Sequence, residues 1–193
     1  MFINKNSKKV IVCFAGHSHQ FGLIEKFEFV KILDFLFEDC DKYFFTDQNR
    51  EFYHLGIKGF STDVESTAAY LKSILSNYNN ITFMGVSAGG HAAILYGCIL
   101  NVDKVIAFIP QTILHENYSH NNLRDLLLQN NLENKTHHYL YGSLNDPDPL
   151  HSISHIENIE DLNGVECFKY PHINLPTMKQ NGELNDILRK HIY

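Results

Sequence analysis

The sequence predicts a doubly wound α/β fold, a mostly parallel six-stranded sheet with helices on both faces. Three observations carry this expectation. Short apolar, β-prone runs recur along the chain, segments with helical spacing separate them, and the runs are nearly continuously apolar. A strand apolar on both faces is covered on both faces, and helices between successive strands supply that cover through right-handed crossovers of a parallel sheet.

The strands are expected at residues 10–14, 42–46, 81–86, 104–109, 137–141 and 165–170. Helical spacing marks 24–37, 63–76, 88–100, 121–129, a short turn at 155–161, and 178–192. In the third helix Ala92, Leu95, Tyr96, Ile99 and Leu100 fall at three- and four-residue steps of one face. Thr62-Asp63-Val64-Glu65 gives the second helix a start resembling a capping box. No internal repeat, linker or low-complexity tract interrupts the pattern, so residues 1–193 read as a single domain.

Composition removes several function classes. With 44% hydrophobic residues, 14 Phe and 10 Tyr, the chain can build a sizeable core. A formal charge of -6 and no basic run longer than Lys8-Lys9 argue against nucleic acid as a partner. No stretch approaches the roughly 20 apolar residues of a membrane span. The apolar run after Lys9 is too short for a secretion signal. Cys13, Cys40, Cys98 and Cys167 show no CxxC spacing and sit in apolar segments, as buried free thiols do. A reducing cytoplasm is the expected location.

In doubly wound sheets ligands bind beyond the carboxyl ends of the strands. After the third expected strand stands Gly85-Val86-Ser87-Ala88-Gly89-Gly90, a GxSxG nucleophile elbow running into a helix. A serine at such a turn has strained backbone angles, and Gly85 and Gly89 remove side chains that would collide there. The helix start behind it offers N–H groups to a developing oxyanion. The stretch lacks GxxxxGK[ST] and GxGxxG, so a phosphate-binding loop is disfavoured.

After the first expected strand, Gly16-His17-Ser18-His19 lies beside the elbow, and the His17 backbone N–H is a candidate oxyanion donor together with that of Ala88. His17 and His19 read only weakly as a metal pair. After the fifth, Asn145-Asp146-Pro147-Asp148-Pro149-Leu150-His151 offers two acids, one to orient a histidine and the other to cap the following helix. Asp148 is preferred, leaving two residues before His151, with Asp146 as the alternative nearer the strand end. After the last strand, His172 is the preferred base, completing a chain order of Ser, Asp, His. His91, His115, His120, His137, His138, His151 and His155 read as surface or packing residues, and the spacing of His151 and His155 is only weak evidence for a metal.

On this elbow and its context the sequence resembles the α/β-hydrolase superfamily, from Val10 through the final helix. The resemblance implies Ser87 as nucleophile, His172 as general base and acid, Asp148 or Asp146 as orienting carboxylate, and His17 and Ala88 as oxyanion donors. It implies a shortened fold in which residues 10–14 correspond to the third strand of larger members. It calls for no metal and no organic cofactor. About 25 residues separate Pro110 from the next strand, room for one helix and not for a deep lipid-binding lid. The stretch from Asp148 through His172 to Leu184 is similar to small microbial hydrolases, some found beside polysaccharide-biosynthesis genes, which implies an acyl ester on a saccharide or other polar carrier.

The expected function is therefore ester hydrolysis through an acyl-serine. Two alternatives stand beside it: an O-acyltransferase using the same three groups, and a catalytically silent binding protein on the same scaffold. Sequence leaves the acyl group, the carrier and the oligomeric state open.

Overall fold

The computed structural model describes residues 1–17, 29–130 and 135–192. Its sheet is built on β2 (Lys9–Phe14), β3 (Asp41–Phe45), β4 (Asn80–Val86), β5 (Lys104–Phe108), β6 (His137–Ser143) and β7 (Val165–Tyr170), all mutually parallel. A short β1 (Phe2–Ile3), not anticipated, adds antiparallel to β3, so the order is β1-β3-β2-β4-β5-β6-β7. Two residues give too little alternation to be read as a strand; stacking of Phe2 on Tyr43, with ring centroids 4.3 Å apart, holds β1 in place.

Side chains of each strand feed two separate cores. Val10, Val12 and Phe14 of β2 point to one layer, Ile11 and Cys13 to the other. Val105 and Ala107 of β5 oppose Ile106 and Phe108 in the same way. Both faces being buried explains why these strands read as unbroken apolar runs.

The first layer is covered by α2 (Val64–Leu75), α3 (Ala88–Leu100), α4 (Leu123–Asn130) and the short α5 (Ser154–Glu157), which contributes Ile156. The second is covered by α1 (Val30–Leu36), α6 (Leu175–Gln180) and α7 (Glu183–Ile192). Asp63 caps α2 through the Ser66 N–H, and the Ser66 hydroxyl accepts the Asp63 N–H. The box therefore starts one residue later than the Thr62 reading. On α7, Leu184, Ile187, Leu188 and Ile192 are buried, each contributing about 2 kcal/mol of apolar transfer. The α3 helix is buried from Ala88 through Cys98, which a helix next to the central strands requires. The first half of the helix expected at 24–37, and Ser18 and His19, lie outside the described residues.

Because β3 lies on one side of β2 while β4 to β7 continue on the other, the chain reverses its winding between β2 and β4. The carboxyl ends of these two strands carry His17 and Ser87. No helix among the described residues is long and apolar enough to cross a membrane.

Candidate active site

Ser87 takes φ 54° and ψ -123°, a region L-residues avoid at a cost of roughly 1–3 kcal/mol. Its backbone is held on both sides: its N–H donates to Phe108 O at 2.9 Å, and its carbonyl accepts the His91 N–H at 3.0 Å. A Cβ on Gly85 would strike the Gly89 carbonyl, and one on Gly89 the Phe14 carbonyl, so both glycines are required by close backbone approach. Ser87 stands at the N-cap of α3 but makes no capping bond, which leaves its hydroxyl for other partners. As the first residue of α3, Ala88 has no carbonyl within the helix for its N–H.

The imidazole that reaches Ser87 belongs to His151. Its Nε2 lies 3.0 Å from Ser87 Oγ. His151 ends a single 3-10 turn, Pro149–His151, that begins right after β6 and its short loop. Asp148 caps this turn by accepting the Leu150 N–H at 2.9 Å, and the His151 N–H donates to Asp148 O at 2.9 Å. On the far side of the ring, Nδ1 is 3.6 Å from Asp146 Oδ1 and 3.8 Å from Asp148 Oδ2. The Asp146 side chain is only 7% exposed against 46% for Asp148. Asp146 is thus the better shielded acid, contrary to the preference for Asp148, whose carboxylate serves the turn.

His172, the expected base, is not brought to Ser87. It is exposed in the loop from β7 to α6. That loop is pinned to the β6 loop by backbone bonds, Leu144 N–H to Tyr170 O at 2.8 Å and Asn145 N–H to Pro171 O at 3.1 Å. Burial of Ile173 anchors it while the imidazole faces solvent. Asp146, like Asp148, also precedes His151 in the chain. Order alone does not choose between two histidines that both follow a strand end.

His155, four residues past His151, turns to the backbone after β5. Its Nδ1 is directed at the Thr112 N–H, 3.3 Å away. Among the described residues no group of three ligand-type side chains could hold a metal ion.

His17 closes the other side. Its Nε2 lies 2.9 Å from Asp47 Oδ2, and its carbonyl accepts from Arg50 at 3.0 Å. Burial would raise the Asp47 carboxyl, but bonds from His17 and from the Tyr53 and Glu51 backbone together hold it below its usual range. The loop is thereby fixed over the elbow: a Cβ on Gly16 would lie 2.9 Å from Val86 O and 3.6 Å from Ser87 Cβ.

Gln111, three residues past β5, was not singled out from the sequence. It is buried, and its Nε2 donates to Ser87 Oγ at 3.1 Å and to Leu150 O at 2.8 Å. Its own carbonyl accepts from His91 Nδ1 at 2.7 Å, and His91 Nε2 meets His54 Nε2 at 3.1 Å. Burial pushes both imidazoles far below the usual histidine range. The available signal was positional: Gln111 also follows a strand end.

No protein-family model and no curated protein matches the sequence. Solved structures do match. A capsule O-acetyltransferase of Neisseria meningitidis serogroup A, in complex with CoA, superposes with a TM-score of 0.66 at 16% identity, over 94% of this chain and 87% of that one. MenH of Staphylococcus aureus gives 0.62 at 12% identity over 98% and 97%. MGS-MChE2, an alpha/beta hydrolase from a lagoon-sediment metagenome, gives 0.59 at 16% over 95% and 91%. At these identities the likeness is one of fold, and the fold of this chain is that of the α/β hydrolases.

Proposed function

We propose that the protein is a serine esterase that cleaves a carboxylic ester through an acyl-Ser87 intermediate, with His151 in place of His172 as the base. The single observation that carries this reading is the 3.0 Å approach of His151 Nε2 to a serine hydroxyl held in a strained elbow. His151 Nε2 takes the Ser87 proton as Oγ attacks the ester carbonyl. The tetrahedral oxyanion is held by the backbone N–H groups of His17 and Ala88. Protonated His151 gives its proton to the leaving alcohol, and water, deprotonated by the same ring, then releases the acid. Asp146 orients the ring through Nδ1 and balances its charge; Asp148 contributes the turn. Cysteines held as thiols, three of the four buried, suit a reducing compartment such as the cytoplasm.

A second reading sends the acyl group to a hydroxyl of a saccharide or other polar acceptor. It is favoured by the likeness to the capsule O-acetyltransferase, which covers nearly the whole of both chains. The same three side chains serve, with the acceptor hydroxyl in place of water.

Ser87→Ala should abolish hydrolysis of p-nitrophenyl acetate with an unchanged circular-dichroism spectrum; equal turnover by both proteins defeats the assignment. Product analysis with acetyl-CoA or the nitrophenyl ester as donor, with and without added sugar alcohols, separates hydrolysis from transfer. A folded wild-type protein that fails to react with a fluorophosphonate would reduce the chain to a binding scaffold.

A further inference from the structure

We infer that Gln111 is a positioning residue that sets the direction of the Ser87 proton and ties the nucleophile to the turn carrying the base, an inference that rests on the proposed roles of Ser87 and His151. The amide orientation is fixed by chemistry. Leu150 O only accepts, so the group 2.8 Å from it must be the Gln111 NH2; the flipped amide would set two acceptors against each other. The second hydrogen of that NH2 then points to Ser87 Oγ at 3.1 Å. Gln111 Oε1 stays 3.4 Å from the hydroxyl, a poorer acceptor than His151 Nε2 at 3.0 Å. With one lone pair of Oγ occupied by a donor on the β5 side, the hydroxyl proton is directed to His151.

The same NH2 bridges the elbow and the turn that carries His151. Leu150 immediately precedes His151, so a bond to its carbonyl fixes the height of the 3-10 turn above the elbow. The bridge has a stiff base. His91 Nδ1 must carry the hydrogen it donates to Gln111 O, which leaves its Nε2 to accept from His54 Nε2. Both rings are buried, which disfavours their charged form. A chain of polar contacts thus runs from His54 through His91 and Gln111 to the nucleophile. Gln111 touches Oγ but neither gains nor loses a proton.

The experiment measures the second-order rate of fluorophosphonate labelling of Ser87 in wild type and variants across pH, with circular dichroism as the folding control. Gln111→Met keeps the volume and loses both donors; labelling should slow about tenfold to a hundredfold, as expected for a misaligned nucleophile and base. Gln111→Glu places a carboxylate against Oγ and beside His151, which favours the imidazolium, so the acid limb of the rate profile should move up by about one pH unit. Gln111→Asn, one methylene shorter, reaches one partner and not both, and should fall between. Folded Gln111→Met and Gln111→Asn proteins labelled at the wild-type rate, with the acid limb of Gln111→Glu unmoved, would overturn the inference. Loss of the folded state in all three variants would also overturn it, assigning Gln111 to stability. A wild-type protein inert to the probe sinks the esterase reading instead, so the two failures are distinguishable.

Discussion

Asp146 Oδ1 accepts the backbone N–H of Asp148 at 3.0 Å, so one of the two carboxylates that face His151 braces the backbone that carries the other. The bond passes along one strand-end loop: Asp146 shapes the backbone at Asp148, and Asp148 caps the turn that ends in His151. Only Asp146 is shielded from water, where a charge interaction with an imidazolium is strongest.

The two acids should therefore separate in mutants. Asp146→Asn is expected to lower kcat for an acyl ester by about a thousandfold, through loss of ring orientation and charge balance. Asp148→Ala should cost about 1 kcal/mol of stability, as a lost cap does, with activity within a few-fold of wild type. Steady-state kinetics and urea unfolding of both variants check this; a larger rate loss in Asp148→Ala would reverse the assignment.

The two candidate histidines give a direct contrast. His151→Ala should remove the base and reduce kcat by more than a thousandfold, whereas His172→Ala, on an exposed loop, should leave kcat and KM near wild type. Equal damage from both substitutions would mean that the loop after β7 closes on the site during turnover.

The elbow makes a stability prediction independent of any activity. Gly89→Ala inserts a methyl group against the Phe14 carbonyl, between the start of α3 and the end of β2, both buried. Neither neighbour is a flexible side-chain tip, so the strain falls on backbone and should cost about 3 kcal/mol. The readout is the urea midpoint; an unshifted midpoint would mean that the helix can slide away from β2.

Much of this was legible because the parallel sheet writes its double burial into sequence. Val10 to Phe14 and Val105 to Phe108 are apolar at successive positions serving opposite cores, and the elbow glycines are demanded by close backbone approach within the turn and to the end of β2. What failed is information that exists only across loops. His151 and His172 each follow a strand, and the choice between them depends on a 3-10 turn that brings His151 to Ser87 and a loop pinned to the segment after β6. Nothing in the residues Pro149-Leu150-His151 alone states where that turn points. Gln111 was invisible for the same reason: its partners, Ser87 and Leu150, are 24 and 39 positions away. β1 is too short to carry a pattern at all.

Buried neutral histidines make folding stability depend on pH in a definite direction. Burial holds His138 at about 4 against 6.5 for an unperturbed ring, and burial likewise depresses His54, His91 and His191. Between pH 6.5 and 4 the unfolded chain binds a proton at His138 that the folded chain refuses. Its contribution is thus fully present above pH 6.5 and lost as the pH falls toward 4, at about 1.4 kcal/mol per unit. From pH 7 to 5, above the range where most carboxylates titrate, His138 alone should remove about 2 kcal/mol. Urea unfolding at the two pH values measures the loss. His138→Leu should keep the fold and show a shallower pH dependence by that amount, because a side chain that cannot bind a proton gives the unfolded state no such advantage. Parallel stability curves for wild type and His138→Leu would mean that the ring is protonated in the folded protein as readily as in the unfolded chain.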